Sequence, residues 1–308
     1  MSYLIIDAHS HLWKELNGEV DGYEVKSLGY GKSYFKGEIK QMMPPYMLDG
    51  SNTAETFLSN MDYSCVAAAV VTQEFIDGNQ NEYLLKVKKD YGDRFKVCGL
   101  VDFRKKDFLI ELKQCLKENF KIIKVPAQWL VSMPKRVYLT DNEFMEAFQY
   151  MEKNNIIISI DLAEGDVQVQ EMKTIIKTFP KLKVAIGHFG MVNRNNWECQ
   201  LLLAKNENVM LESGGITWLF HNEFYPYAGA IKAIKKAINM VGIDKLMWGS
   251  DYPRTMTAIT YRMSYDFIIK SKELSEDEKI KFLGGNAKLF YNFKNLIIPE
   301  YIKNMVED

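Results

Sequence analysis

Two of the chain's four histidines, His9 and His11, stand one residue apart in "DAHSH", where the first apolar run ends. If Leu4 to Asp7 open a β-strand that continues to His11, then Asp7, His9 and His11 project to one side, since alternate strand residues share a face. Paired imidazoles on one side of a strand end suit a metal ion. Taken alone, the stretch fits two ordinary polar residues after a strand equally well.

The remaining chain reads as short apolar runs separated by amphipathic stretches. Strands are expected at 4–7, 65–72, 95–101, 120–125, 156–162, 183–188, 209–213 and 245–251. Most are continuously apolar rather than alternating, as strands covered on both faces of a parallel sheet are. Helices are expected at 53–63 after the cap types Ser51 and Asn52, at 81–92, 106–119, 140–155 with a capping box from Thr140, 166–180, 193–206, 227–242, 257–272 and 275–292. Eight strands alternating with helices predict an α/β fold of the (β/α)8 TIM-barrel type in a single domain over 1–308. Residues 12–50 form a long connection between the first strand and the first helix. A loop of that size after a barrel strand is expected to cap the active-site face, with Tyr or Lys of "GYGKSYFKGE" reaching the pocket.

Barrel chemistry sits at the C-terminal strand ends. Those ends carry His9 and His11; Gln73 and Glu74; Lys124, then Gln128 and Trp129; Asp161 and Glu164; His188; Glu212, then Trp218; and Asp251, then Arg254. Three of the four histidines therefore fall where a barrel keeps its active site.

"DAHSH", "IGHFG", "MWGSDYP" and "GGNAKLFY" occur in an order that resembles the amidohydrolase superfamily. The resemblance is greatest to the amidohydrolase-related (amidohydrolase-2) branch, which holds aminocarboxymuconate-semialdehyde-type decarboxylases and sugar or pyrone lactonases. It covers nearly the whole chain. It implies a metal held by His9, His11 and Asp251, one divalent ion, Zn2+ first and Mn2+ or Fe2+ as alternatives. Such an ion lowers the pKa of a bound water to about 7. Asp251 then suits the general base and acid, and His188 suits stabilisation of developing negative charge; a core histidine bonded to backbone is the plainer account of His188.

The chain departs from the resemblance at the fifth strand, where "ISIDLAEGD" has Asp161 in place of a histidine. Asp161 is either a further ligand or a hydrogen-bonding neighbour; some lactonase relatives look like this and some of those work without metal. Lys124 either pairs with a carboxylate, from Asp161 or from substrate, or forms a buried ion pair only. Arg254 suits a carboxylate anchor, Gln128, Trp129 and Trp218 the pocket wall, and Glu212 a structural role. The expected activity is hydrolysis of a small cyclic or carboxylated molecule, lactone-like in the first place. A non-oxidative decarboxylase is the alternative, and a non-catalytic binding barrel the third reading.

Composition narrows the partners. With 39 Lys and Arg against 40 Asp and Glu, net charge −1 gives no broad bias toward nucleic acid or an anionic membrane. No segment approaches the ~20 apolar residues of a membrane span. Cys65, Cys98, Cys115 and Cys199 lack metal-ligand spacing, and Cys65 and Cys98 read as small core residues. With no signal peptide, a reducing cytoplasmic setting is expected. The partner is a small-molecule substrate; a homo-oligomer is compatible with the sequence.

Overall fold

The computed structural model describes residues 3–307. Eight parallel strands pair in chain order: β1 (Ile6–His11), β2 (Ala68–Thr72), β3 (Phe95–Leu100), β4 (Ile122–Pro126), β5 (Ile157–Asp161), β6 (Lys183–Ile186), β7 (Val209–Glu212) and β8 (Leu246–Met247). Backbone bonds close the ring between its first and last strands. Ala8 N–H donates to the Trp248 carbonyl at 2.9 Å, His11 N–H to Tyr252 at 2.8 Å, and Asp251 N–H to His9 at 2.8 Å. With helices in the connections, this is a (β/α)8 barrel. β8 is shorter than the expected 245–251, because from Trp248 onward the backbone bonds to Phe282 and to β1 instead of continuing a ladder with β7.

Two apolar layers follow from strands buried on both faces. Ile6, Ala8, Val70, Cys98, Ile122, Ala185, Met210 and Met247 fill the lumen. Phe57, Leu84, Leu112, Phe148, Ile176 and Ile234 pack between strands and helices. Helix ends differ locally from expectation. Thr53, not Ser51 or Asn52, caps Ala54–Tyr63. The Thr140 capping box does not form; Asn142–Lys153 follows Asp141, whose carboxylate accepts the Tyr138 N–H. Cys98 is a lumen residue, but Cys65 is half-exposed in a left-handed turn, not core.

The parity of β1 also differs from a regular strand. Its pairing with β2 shifts register between Asp7 and Ser10. Ile6 and Ala8 face the lumen, yet His9 and His11 line the cavity at the barrel mouth. The irregularity thus turns both imidazoles inward and leaves Asp7 on the other side. There Asp7 accepts from Ser250 N–H at 2.8 Å and from the Tyr261 hydroxyl at 2.8 Å, tying β1 to the chain after β8.

Residues 12–50 are folded, not a structureless loop. A Glu19–Val20/Tyr23–Glu24 hairpin precedes a three-stranded antiparallel sheet, Lys26–Gly29, Lys32–Phe35 and Glu38–Gln41. Asp21-Gly22 turns the hairpin, and Tyr30-Gly31 and Lys36-Gly37 turn the sheet, each with positive φ at both positions. That is the turn geometry whose twist matches paired strands. Trp13, Leu16, Val20, Val25, Met43 and Met47 of this segment pack on Phe75 and Leu100 at the C-terminal side of the barrel. No described helix is long and apolar enough to cross a membrane.

Candidate active site

A cavity of about 380 Å³ opens at the C-terminal ends of the strands. His9, His11, Asp161, His188, Asp251, Arg254, Gln128, Trp129 and Trp218 all line it, as does Glu74. Lys124 does not line the cavity. It is fully buried, with its ammonium 2.6 Å from Asp161 Oδ2. No lining residue comes from 12–50 either, against the expectation of a Tyr or Lys from the cap. The cap acts at one remove: the Lys36 ammonium sits 5.2 Å from the Trp129 ring, whose indole is part of the cavity wall.

Two histidines and one aspartate converge. His9 Nε2 and His11 Nε2 are 3.2 Å apart. Asp251 Oδ1 lies 3.1 Å from His11 Nε2 and 3.8 Å from His9 Nε2. Donors bound to one Zn2+ at about 2.0–2.1 Å in tetrahedral array stand about 3.4 Å apart, so this set fits a single ion. Its outer contacts fit as well. His9 Nδ1 is 2.6 Å from Glu212 Oε1, and His11 Nδ1 is 2.7 Å from Asp77 Oδ2. Each carboxylate accepts from Nδ1–H, so that in the neutral ring, the form that binds a metal, the Nε2 lone pair would face the cavity. Glu212 is itself anchored by the Gly214 N–H, and Asp77 by Arg254 Nη2 at 2.6 Å. Trp218 Nε1 donates to Asp251 Oδ2 at 2.8 Å and so aims Oδ1 at the imidazoles.

A second group adjoins the first. Ligand atoms of His9, Asp161 and His188 lie within 4.8 Å of one another, as those of His9, His11 and Asp251 do. Asp161 gives Oδ2 to Lys124, while its buried Oδ1 has no hydrogen-bond partner. His188 Nδ1 donates to the Gly214 carbonyl at 2.7 Å, and its Nε2 stands 3.7 Å from Asp161 Oδ2, too long for a hydrogen bond but close for opposite charges. Glycines permit the close approach. A Cβ at Gly187 would lie 2.0 Å from Asp161 Oδ1, and one at Gly249 would lie 2.8 Å from His9 Cβ.

Charge follows from burial and neighbours. Burial opposes protonation of His9 and holds its pKa down despite Glu212. Burial also opposes charging of His188, but the Asp161 carboxylate outweighs it and pushes the pKa up to about 10. Burial alone would raise Asp251; the His11 hydrogen bond and the charges of His11 and Arg254 hold it well below the usual carboxylate range. Glu74, buried beside Asp161, is pushed up to about 7, and accepts from Trp129 Nε1 and, at 3.3 Å, Gln128 Nε2. The site thus offers an ionised acceptor, Asp251, across from a cationic imidazole, His188.

The amidohydrolase family profile matches residues 6–293. The chain belongs to the amidohydrolase family. Three solved structures share its fold. A probable 2-pyrone-4,6-dicarboxylic acid hydrolase from Acinetobacter baumannii with citric acid bound is 18% identical, with TM-score 0.68 over 94% of this chain and 99% of that one. An amidohydrolase from Burkholderia multivorans with bound zinc is 16% identical, with TM-score 0.68 over 94% and 99%. A 2,6-dihydroxybenzoate decarboxylase from Rhizobium is 15% identical, with TM-score 0.63 over 95% and 99%. No curated protein matches the chain significantly. As a member of the amidohydrolase family, the chain is an enzyme.

Asp77 and the orienting role of Glu212 were not evident from the sequence. Asp77 lies in "EFIDGNQ" after β2 with no periodic signal around it. The remaining histidine, His221, is exposed, with its Nδ1 on the Trp218 carbonyl, outside the site.

Proposed function

We propose that this amidohydrolase is a metal-assisted hydrolase that opens a small lactone-like substrate. The observation that carries the reading is the convergence of His9 Nε2, His11 Nε2 and Asp251 Oδ1, with both imidazoles oriented from behind by buried carboxylates. A divalent cation held by those three would supply Lewis acidity and bring the pKa of a bound water to about 7, with Asp161 in the adjoining group that shares His9; Zn2+ suits the donors best, with Mn2+ or Fe2+ as alternatives.

The side chains divide the other work. Asp251, ionised and aimed by Trp218, accepts a proton from the attacking water and returns it to the leaving oxygen. The cationic His188 faces the same space and offsets negative charge that develops on the substrate carbonyl oxygen. Lys124 keeps Asp161 ionised, and Asp161 keeps His188 charged. Gln128, Trp129 and Trp218 wall a cavity sized for a small molecule, and Arg254, already bonded to Asp77, presents its remaining edge near Asp251.

The second reading, a non-oxidative carboxy-lyase, rests on one observation, the shared fold with a 2,6-dihydroxybenzoate decarboxylase. Incubation with lactones and with aromatic or unsaturated carboxylates in weakly buffered indicator medium separates the two. Hydrolysis of a lactone acidifies the medium, and Asp251→Asn abolishes the signal. Release of CO2 from a carboxylate, with lactones untouched, would replace the hydrolase reading by the lyase one.

A further inference from the structure

The opposite end of the barrel holds a second cavity, of about 490 Å³. Its charge is one-sided. Lys88, Lys96, Lys121, Lys181 and Lys183 line it, and no Asp or Glu does. Among the described residues none of the five is ion-paired with a carboxylate, although the chain carries 40 acidic residues. Glu152 accepts the Lys181 backbone N–H at 2.8 Å, leaving the ammonium out of that contact.

Two of the lysines belong to barrel strands, Lys96 part-buried and Lys183 exposed at its strand's start. Cys98 and Ala185 face the barrel lumen, and Lys96 and Lys183 stand two positions before them on the same strands. Strand alternation therefore turns both toward the barrel axis. Their ammonium groups rest on aromatic rings of the segment that closes this end: Lys96 lies 5.4 Å from the Phe293 ring and Lys183 lies 5.6 Å from the Phe290 ring. Both rings belong to the lumen cluster, so the cations border an apolar floor that includes Ile122 and Tyr291. Lys88 is half-buried beside them, with its ammonium on the Asn119 carbonyl at 2.6 Å; burial and the charges of Lys121 and Lys96 hold its pKa down. Like charges crowded without counter-charge oppose one another, and a bound anion relieves that repulsion.

We propose that this cavity is a binding site for a small polyanion carrying two or more phosphate or carboxylate groups on a flat apolar body, separate from the active site at the other end of the barrel. The lysines take the anionic groups and the Phe290–Tyr291 floor takes the flat face. A volume of this size accommodates a nucleotide-sized molecule.

Titration calorimetry of the whole protein at low salt tests it with three probes. ATP and benzene-1,3,5-tricarboxylate represent the phosphate and carboxylate sources, and inorganic pyrophosphate carries charge without a flat body. At least one of the first two should bind at micromolar concentration and tighter than pyrophosphate; whichever binds identifies the source. The Lys96→Gln/Lys183→Gln double variant should weaken binding at least about tenfold, and Asp251→Asn should leave it unchanged. Should the double variant not fold, amine acetylation of the wild-type protein gives the same answer: the bound probe should shield Lys96 and Lys183 but not Lys153, which lies outside the cavity. Binding only at millimolar concentration, binding that survives loss of both lysines, loss of binding in Asp251→Asn, or absence of shielding would each overturn the proposal.

Discussion

Glu212→Gln changes one buried atom and tests how the imidazoles are prepared. Glu212 accepts twice, from His9 Nδ1–H through Oε1 at 2.6 Å and from the Gly214 N–H through Oε2. A glutamine has one acceptor and one donor group for those two places. If its oxygen serves Gly214, its NH2 faces His9 Nδ1. The ring then moves its proton to Nε2 and loses the lone pair that faces Asp251 and His11. If its oxygen serves His9, its NH2 confronts the Gly214 N–H in a buried site. An unmade buried hydrogen bond costs about 1–3 kcal/mol. With about 1.4 kcal/mol per factor of ten, that is roughly a 5- to 150-fold loss of metal affinity, in line with the 10–100-fold expected when the outer partner of a ligand histidine is lost. Competition with a chromophoric chelator measures the affinity, and circular dichroism checks the fold. Glu146→Gln is the control, since Glu146 is exposed, outside the cavity and 3.5 Å from Lys113. Wild-type zinc affinity in folded Glu212→Gln would refute the assignment of His9 as an oriented ligand.

Other outcomes follow from the same geometry. Asp251→Asn removes the proton acceptor and weakens a ligand, and should lower kcat by several orders of magnitude. His188→Asn should cost roughly 10²–10³ with metal content unchanged, as removal of one charge-stabilising donor does; loss of metal on His188→Asn, with metal and rate kept in Asp251→Asn, would invert the two roles. Lys124→Met should destabilise the protein by about 3–5 kcal/mol, because it removes the one cation hydrogen-bonded to the buried Asp161 carboxylate, and Lys124→Met/Asp161→Leu should recover much of that in thermal melts. Burial pushes the Cys98 and Cys115 thiols up to about 12, so at pH 8 their thiolate fraction is about 10⁻⁴. Thiol reagents should therefore reach only Cys65 and Cys199 in the native protein and all four after denaturation; rapid labelling of Cys98 would contradict the lumen packing.

The barrel was legible because eight apolar runs alternate with helical stretches, and because His9, His11, His188 and Asp251 each close one of those runs. What escaped is what depends on geometry between distant segments. Asp7 shares the alternating phase of His9 and His11 in the sequence, but a register irregularity that no residue type announces sends it to the opposite side. Asp77 reaches His11 from 66 residues away, and nothing in "EFIDGNQ" marks that partnership. Lys124 stands mid-way along β4 opposite Ser159, and Asp161 ends β5 two positions further on; their contact follows from the pairing of β4 with β5, whereas the sequence left substrate as an equal partner for Lys124. The cap carried its own signal, unread, in the dipeptides Asp21-Gly22, Tyr30-Gly31 and Lys36-Gly37, which mark three hairpin turns in a stretch expected to be loop.

Elemental analysis of protein purified without chelator, beside the His11→Ala variant, tests the central claim most directly. The wild-type chain should carry about one transition metal, zinc in the first place, and the variant almost none. Metal well below one per chain that added Zn2+ or Mn2+ does not restore, with hydrolytic activity intact, would contradict the account and leave Asp251 and His188 to work without an ion.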